Sequence, residues 1–155
     1  MEKYLRLLNP KTTNFDAIGG GNHGAMTAQD VCIALSYAKF TDLQEILFGI
    51  CLIGVASVEQ IKVSTKKINI DLNKKKLADL SEDFEISIFI ALVELSKVPA
   101  SYKPSVRNRA VIGGVSKDRI QRKLNQKVND ILEIFNHELD IIRVKLEYQF
   151  RVKNN

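Results

Sequence analysis

Apolar residues recur every three to four positions along most of the chain, a period that predicts helices. The first start stands at Thr27, whose hydroxyl can cap a turn while Asp30 reaches back to it; Val31, Ala34, Leu35 and Ala38 then form one stripe. A second start follows at Thr41, with Gln44 in the reciprocal position. From Asp42 to about Gln60 the residues are apolar nearly all round (Ile46, Leu47, Ile50, Cys51, Ile53, Val55, Val58), which predicts a helix at the buried centre. Both cysteines, Cys32 and Cys51, lie inside these helices as inert core thiols. Between Ile61 and Leu72 the pattern changes. Ile68, Ile70 and Leu72 alternate with polar residues, which suits a short strand, and a lysine-rich irregular connection fits equally well. Lys74, Lys75 and Lys76 read as a solvated helix end.

Ser81 caps the next helix, with Glu82, Asp83 and Glu85 in its first turn and Phe84, Ile88, Leu92 and Leu95 on its apolar face. The last segment, roughly Val128 to Phe150, carries Val128, Leu132, Phe135, Leu139, Ile142 and Leu146 in alternating steps of three and four. Ile131, Ile134, Ile141 and Val144 widen that seam, so it is read as packing against the domain core, with a homodimer seam as the alternative. The expected fold class is mainly α: a compact helical domain of five to seven helices, with a C-terminal helix-turn-helix, a long terminal helix and at most a small strand pair near Lys62 to Leu72. Pro99 and Pro104 bracket an extended linker, and they divide the chain into an N-terminal arm with a Gly-rich loop (1–26), a helical body (27–98) and a C-terminal unit (99–155).

Composition narrows the function classes. At 45% hydrophobic and 26% charged, the 155 residues are those of a globular chain. The longest mostly apolar run, Ile46 to Val58, falls short of the ~20 residues needed to cross a bilayer, so no membrane partner is expected. The first twenty-five residues lack the basic start and apolar core of a secretory signal, which points to a reduced, cytoplasmic compartment. Two cysteines and two histidines assemble neither a disulfide framework nor a Cys/His zinc site, so no metal and no cofactor is expected. The loop from Gly19 to Gly24 is followed by Ala25 and Met26, where a phosphate-cradling loop needs Lys and Ser/Thr. His137 and Asp140 would give only two metal ligands on one helix. No nucleophile–base pair is visible, and the chain is read as a non-enzyme with no catalytic residues.

Charge is concentrated. Residues 97–127 carry nine Lys/Arg against one Asp/Glu, whereas residues 1–96 carry ten against twelve and residues 128–155 four against five. The basic stretch Ser105-Val-Arg-Asn-Arg-Ala-Val-Ile-Gly-Gly-Val-Ser-Lys-Asp-Arg-Ile-Gln-Arg-Lys-Leu-Asn-Gln126 reads as a helix-turn-helix. Ala110 is small where crossing helices approach, Gly114 permits the turn, Val115 packs beneath it, Ser116 caps the second helix, and Ile120 and Leu124 face the core. The opposite face offers Lys117, Asp118, Gln121, Arg122 and Asn125 to a major groove, with Arg119 beside them. Arg107, Arg109, Lys103 and Lys127 flank the unit as backbone-neutralising charges. The expected partner is double-stranded DNA, and a pure packing role for the same unit is the alternative.

The pattern Ala-x3-Gly-Val-Ser-x3-Ile-x-Arg-x-Leu is similar to the DNA-binding helices of bacterial repressors, with Lys123 standing where many of them have an apolar residue. Met26-Thr-Ala-Gln-Asp-Val-Cys-Ile-Ala-Leu-Ser-Tyr-Ala38 resembles the first helix of the lambdoid-phage transcription antitermination Q proteins, in their zinc-containing branch. Val98-Pro-Ala-Ser101, Arg109-Ala-Val111, Arg122 and Asp130-Ile-Leu132 resemble that branch's C-terminal part in the same order. The family's paired Cys-x-x-Cys ribbon is absent, which removes any zinc claim and places in doubt the contacts made through it. The resemblance implies a phage or prophage antitermination factor that binds DNA near a late promoter and engages paused bacterial RNA polymerase and its initiation factor. An ordinary repressor or activator, or a small phage protein that inhibits a host complex through its basic face, are the competing readings.

Overall fold

The computed structural model describes residues 27–54, 56–74 and 81–153, together with Leu5 and Leu8. The Gly-rich loop, the rest of the N-terminal arm, and Lys75 and Lys76 lie outside the described residues. Helix α1 (Ala28–Tyr37) begins with the capping box legible in its sequence: Thr27 Oγ1 accepts from the Asp30 amide at 3.2 Å, and the Thr27 amide donates to the Asp30 carboxylate at 3.0 Å. Helix α2 (Asp42–Leu47) repeats the device at Thr41 and Gln44, then continues as a π-helical stretch, Phe48–Ile53.

That helix does not reach Gln60. Gly54 turns left-handed, at a φ of +73° that an L side chain rarely adopts, and α3 (Val58–Lys74) starts afresh. The new start has its own capping box, in which Ser57 N donates to Gln60 Oε1 at 2.7 Å and Gln60 N donates to Ser57 Oγ at 3.3 Å. The strand or irregular connection expected over 61–72 is therefore a helix. Ile61, Thr65, Ile68 and Leu72 are buried at spacings of four, three and four, while Ile70, which a strand would have placed beside Ile68, is 56% exposed. Thr65 can sit in that stripe because its hydroxyl donates to the Ile61 carbonyl at 2.9 Å.

Helix α4 (Glu82–Ser96) is the true centre. Ser87, Ile88, Ile90, Ala91, Leu92 and Val93 are all fully buried, covering nearly its whole circumference. Among its described residues, the stretch expected to be central is buried only at Leu43, Gln44, Leu47, Phe48 and Ile50. Ser81 stands at the N-cap of α4, yet its buried hydroxyl makes no capping bond. The cysteines also differ from expectation: Cys32 is exposed, and Cys51 is half-buried, its thiol pushed up to about 11 by desolvation against an opposing pull from Arg143.

Helix α5 (Val106–Gly113) leads through a three-residue turn into α6, which runs unbroken through Lys117–Arg119, a π-helical stretch Ile120–Leu124 and Asn125–Lys153. The second helix of the basic unit and the long terminal helix are thus one element. Ile120, Leu124, Val128, Ile131, Phe135, Leu139, Ile142, Leu146 and Phe150 form its buried stripe, against which α1, α2, α4 and α5 pack. The terminal seam is therefore internal to the fold, and Ile134 and Val144, expected to widen it, face outward. The α1–α2 loop is held to α6 by polar contacts: Lys145 Nζ donates to the Lys39 carbonyl at 3.1 Å and to Gln44 Oε1 at 2.8 Å, and Gln44 Nε2 donates to Glu138 at 2.7 Å. Among the described residues there is no strand, and no helix is long and apolar enough to cross a membrane.

The helical register of α3 has a direct consequence for stability. Ile68→Ala should cost about 2–5 kcal/mol, the range for a buried aliphatic truncation, while Ile70→Ala should stay within about 0.5 kcal/mol. Urea denaturation of dilute protein checks this, and equal losses at the two positions would favour the strand register.

Candidate nucleic-acid interface

The basic unit is built on α5, the turn Gly114–Ser116 and the first turns of α6. Ser105 caps α5 by accepting from the Asn108 amide at 3.1 Å, and Ser116 caps α6 by accepting from the Arg119 amide at 3.1 Å. Gly114 closes α5 at a φ of +65°, where the Val115 amide reaches back to the Ala110 carbonyl at 3.1 Å. Ala110 is buried, as a close crossing requires. Another close approach lies one turn further on, at Gly113. A Cβ there would come within 3.0 Å of Ile90 and 3.2 Å of Ile86, so α5 rests directly on α4.

The structure separates the expected DNA-contacting residues into two sets. Arg109 does not face solvent. Its Nε and Nη2 each donate to one Glu94 carboxylate oxygen at 2.8 Å, and its Nη1 donates to Asn125 Oδ1 at 2.5 Å and Asn129 Oδ1 at 3.1 Å. The two charged side chains are 9% and 5% exposed. Tyr102 completes the cluster by donating to Glu94 Oε1 at 2.9 Å. The Glu94 hydrogen bonds raise the Arg109 pKa further despite burial, so the guanidinium stays charged. Burial raises the Tyr102 phenol, with the Glu94 carboxylate adding to the effect. Arg109 is therefore corrected from a DNA-contacting residue to the hub of an internal network, and half-buried Asn125 is tied to it through its side-chain oxygen.

Arg119 is paired as well, although its side chain stays 35% exposed. Its Nε donates to Asp83 Oδ1 at 2.9 Å, Nη2 donates to the same oxygen, and Nη2 reaches Glu82 at 3.2 Å. These two acids of the first turn of α4 raise its pKa, the Asp83 hydrogen bond first. Arg119 thus bridges the starts of α4 and α6, and its charge is locally balanced. No short-range pattern marks either arginine as engaged within the fold, because the carboxylates they meet come from α4, 15 and 36–37 residues earlier in the chain.

The second set remains outside. Lys103, Arg107, Lys117, Gln121, Arg122 and Lys123 are exposed, and Lys127 is half-buried on α6. Arg122 pairs with Asp118 one turn earlier at 2.7 Å, with both side chains well solvated, so this surface pair holds the arginine only weakly. Lys117 and Gln121 are one turn apart on α6, and both are exposed while Ile120 and Leu124 of the same turns are buried. Such a surface can neutralise phosphates and offer amide and guanidinium donors to base edges. Among the described residues no group of three or more His, Cys, Asp or Glu could hold a metal ion.

The division between internal and external arginines is measurable. Glu94→Ala leaves Arg109 buried and uncompensated, and should cost about 3–5 kcal/mol in chemical denaturation. The double replacement Arg109→Met with Glu94→Leu should cost clearly less than that, whereas Arg122→Ala should leave stability almost unchanged. No protein-family model, curated protein or solved structure matches this chain.

Proposed function

We propose that this chain is a DNA-binding transcription antitermination factor of the phage or prophage kind, acting in the bacterial cytoplasm on promoter-proximal RNA polymerase and its initiation factor. The observation that carries the DNA-binding part is the outward set at the start of α6. Lys117, Gln121, Arg122 and Lys123 stay exposed there while Ile120 and Leu124 dock the same turns to the core. In this reading Lys117, Gln121 and Arg122 contact base edges, and Lys103, Arg107 and Lys127 neutralise phosphates. Arg109, Arg119 and Asn125 act indirectly, by fixing α5 and α6 on α4. The polymerase part rests on the resemblance of the segments Met26–Ala38, Val98–Ser101 and Asp130–Leu132 to the antitermination Q proteins.

Binding of duplex DNA and readthrough of a downstream terminator test the two parts separately. Gln121→Ala or Arg122→Ala should cost roughly 1–3 kcal/mol on the specific site, and Arg107→Ala should weaken all sequences alike and lower the salt slope by about one. Asp118→Asn should strengthen binding to any duplex, since it removes the one carboxylate of the basic segment. Readthrough should require the promoter-proximal site and be lost with Arg122→Ala. A protein that binds its site yet only blocks initiation is a repressor, and one with no affinity for DNA uses the basic face against a protein.

A further inference from the structure

An apolar groove of about 520 Å³ runs between α2 with its π-helical extension and α3, lined by Ile46, Gly49, Ile50, Ile53 and Val63. It continues into a second depression of about 370 Å³ that shares Glu45, Ile46 and Lys67 and ends at Ile70 and Asp71. Val63 and Ile70, seven residues apart and so on one stripe of α3, are each 56% exposed. The floor is open at Gly49, where a Cβ would meet nothing within 4 Å. The rim is acidic on both sides. Asp42 and Glu45 stand on the α2 wall, and Glu59 and Asp71 at the two ends of the α3 wall. Among the described residues Lys67 is the one cation lining either depression, since the exposed Lys62 and Lys66 line neither. The Glu59 carboxylate is held below its usual range by its own amide and then by Ser57, so it stays ionised.

We propose that this groove receives an amphipathic helix of another protein, one whose apolar stripe is flanked on both sides by Lys or Arg. The apolar lining calls for an apolar stripe, and the length of the groove sets its size. From Glu59 to Asp71, α3 runs about 18 Å at ~1.5 Å per residue, which matches about three turns of a docked helix. The rim sets the sign of the flanks. Asp71 already has a partner within the molecule, so Asp42, Glu45 and Glu59 carry the attraction, on both walls and against Lys67 alone. The same charges disfavour the other occupants. A second copy of the chain would set carboxylate-rimmed walls against each other, and a nucleic acid or an anionic lipid surface would be repelled. The inference is independent of the DNA reading, since no residue of the basic unit takes part.

Fluorescence anisotropy of the full chain tests this with a labelled helical peptide of about 14 residues, leucines at i, i+4, i+7 and i+11 and lysines on both flanks. Binding should be saturable, and the same peptide with glutamate in place of lysine should bind at least about tenfold more weakly. Glu45→Lys and Val63→Ser should each weaken binding of the lysine peptide about tenfold. Both side chains are exposed, so the helical circular dichroism and the cooperative melt should be kept. Glu147→Lys, exposed on α6 and lining neither depression, should leave the affinity unchanged. No saturable binding, equal binding of the two peptides, or a loss as large from Glu147→Lys as from Glu45→Lys overturns the proposal. So does self-association of the peptide-free chain that Val63→Ser abolishes, which would give the groove to a second copy.

Discussion

The buried pair between Arg109 and Glu94 is the contact on which the C-terminal half depends. Taking both charges out of water costs several kcal/mol per ion, and that cost is offset only when geometry is good and the remaining donors are satisfied. Both conditions hold: the fork meets the carboxylate at two points, and the third nitrogen serves two asparagines of α6. One side chain of α5 thereby fixes α4, α5 and α6 relative to one another, with Tyr102 tying in the connection between α4 and α5. An apolar residue at position 109 could pack there, but it would not set the register of α6 through Asn125 and Asn129.

A second tie acts at the other end of α4, where Arg119 holds Asp83 and Glu82. Two arginines of the basic segment thus meet three carboxylates of α4, and the acidic α4 and the basic C-terminal unit are matched within the molecule. The charge excess available to a partner is correspondingly smaller than the sequence count of residues 97–127 suggests. It is also better defined, because the ties at both ends of α4 dictate which side of α6 remains for Lys117, Gln121, Arg122 and Lys123.

What could be read from the chain was what short-range chemistry decides. The boxes at Thr27 and Thr41, the left-handed Gly114 and the cap at Ser116 all rest on groups within four residues of one another, and all are where local geometry requires them. The box at Ser57 and Gln60 was equally local, but the apolar run across it masked the break at Gly54. In α3 the alternation of Ile68, Ile70 and Leu72 competed with the longer four-three-four series from Ile61, and the longer series won because it gives one continuous helix stripe to bury, with α3 packed on α4. The all-round apolar character of α4 was present in its sequence, from Ile86 to Val93, and marked it as central more strongly than the stretch after Asp42. The engagement of Arg109 and Arg119 within the fold was not legible, since a free arginine and a paired one look alike until the carboxylate from α4 is placed.

The central claim is that one set of basic residues holds the fold and another meets nucleic acid. Nitrogen-resolved NMR of the arginine Nε–H groups during titration with duplex DNA tests it most directly. Arg122 and Arg107 should shift as DNA is added, along with the amides of Lys117, Gln121 and Lys123, while the Arg109 Nε–H keeps its frequency and its slow exchange with water throughout. A shift of Arg109 to a phosphate-bound position, with Arg107 and Arg122 unmoved, would contradict the account.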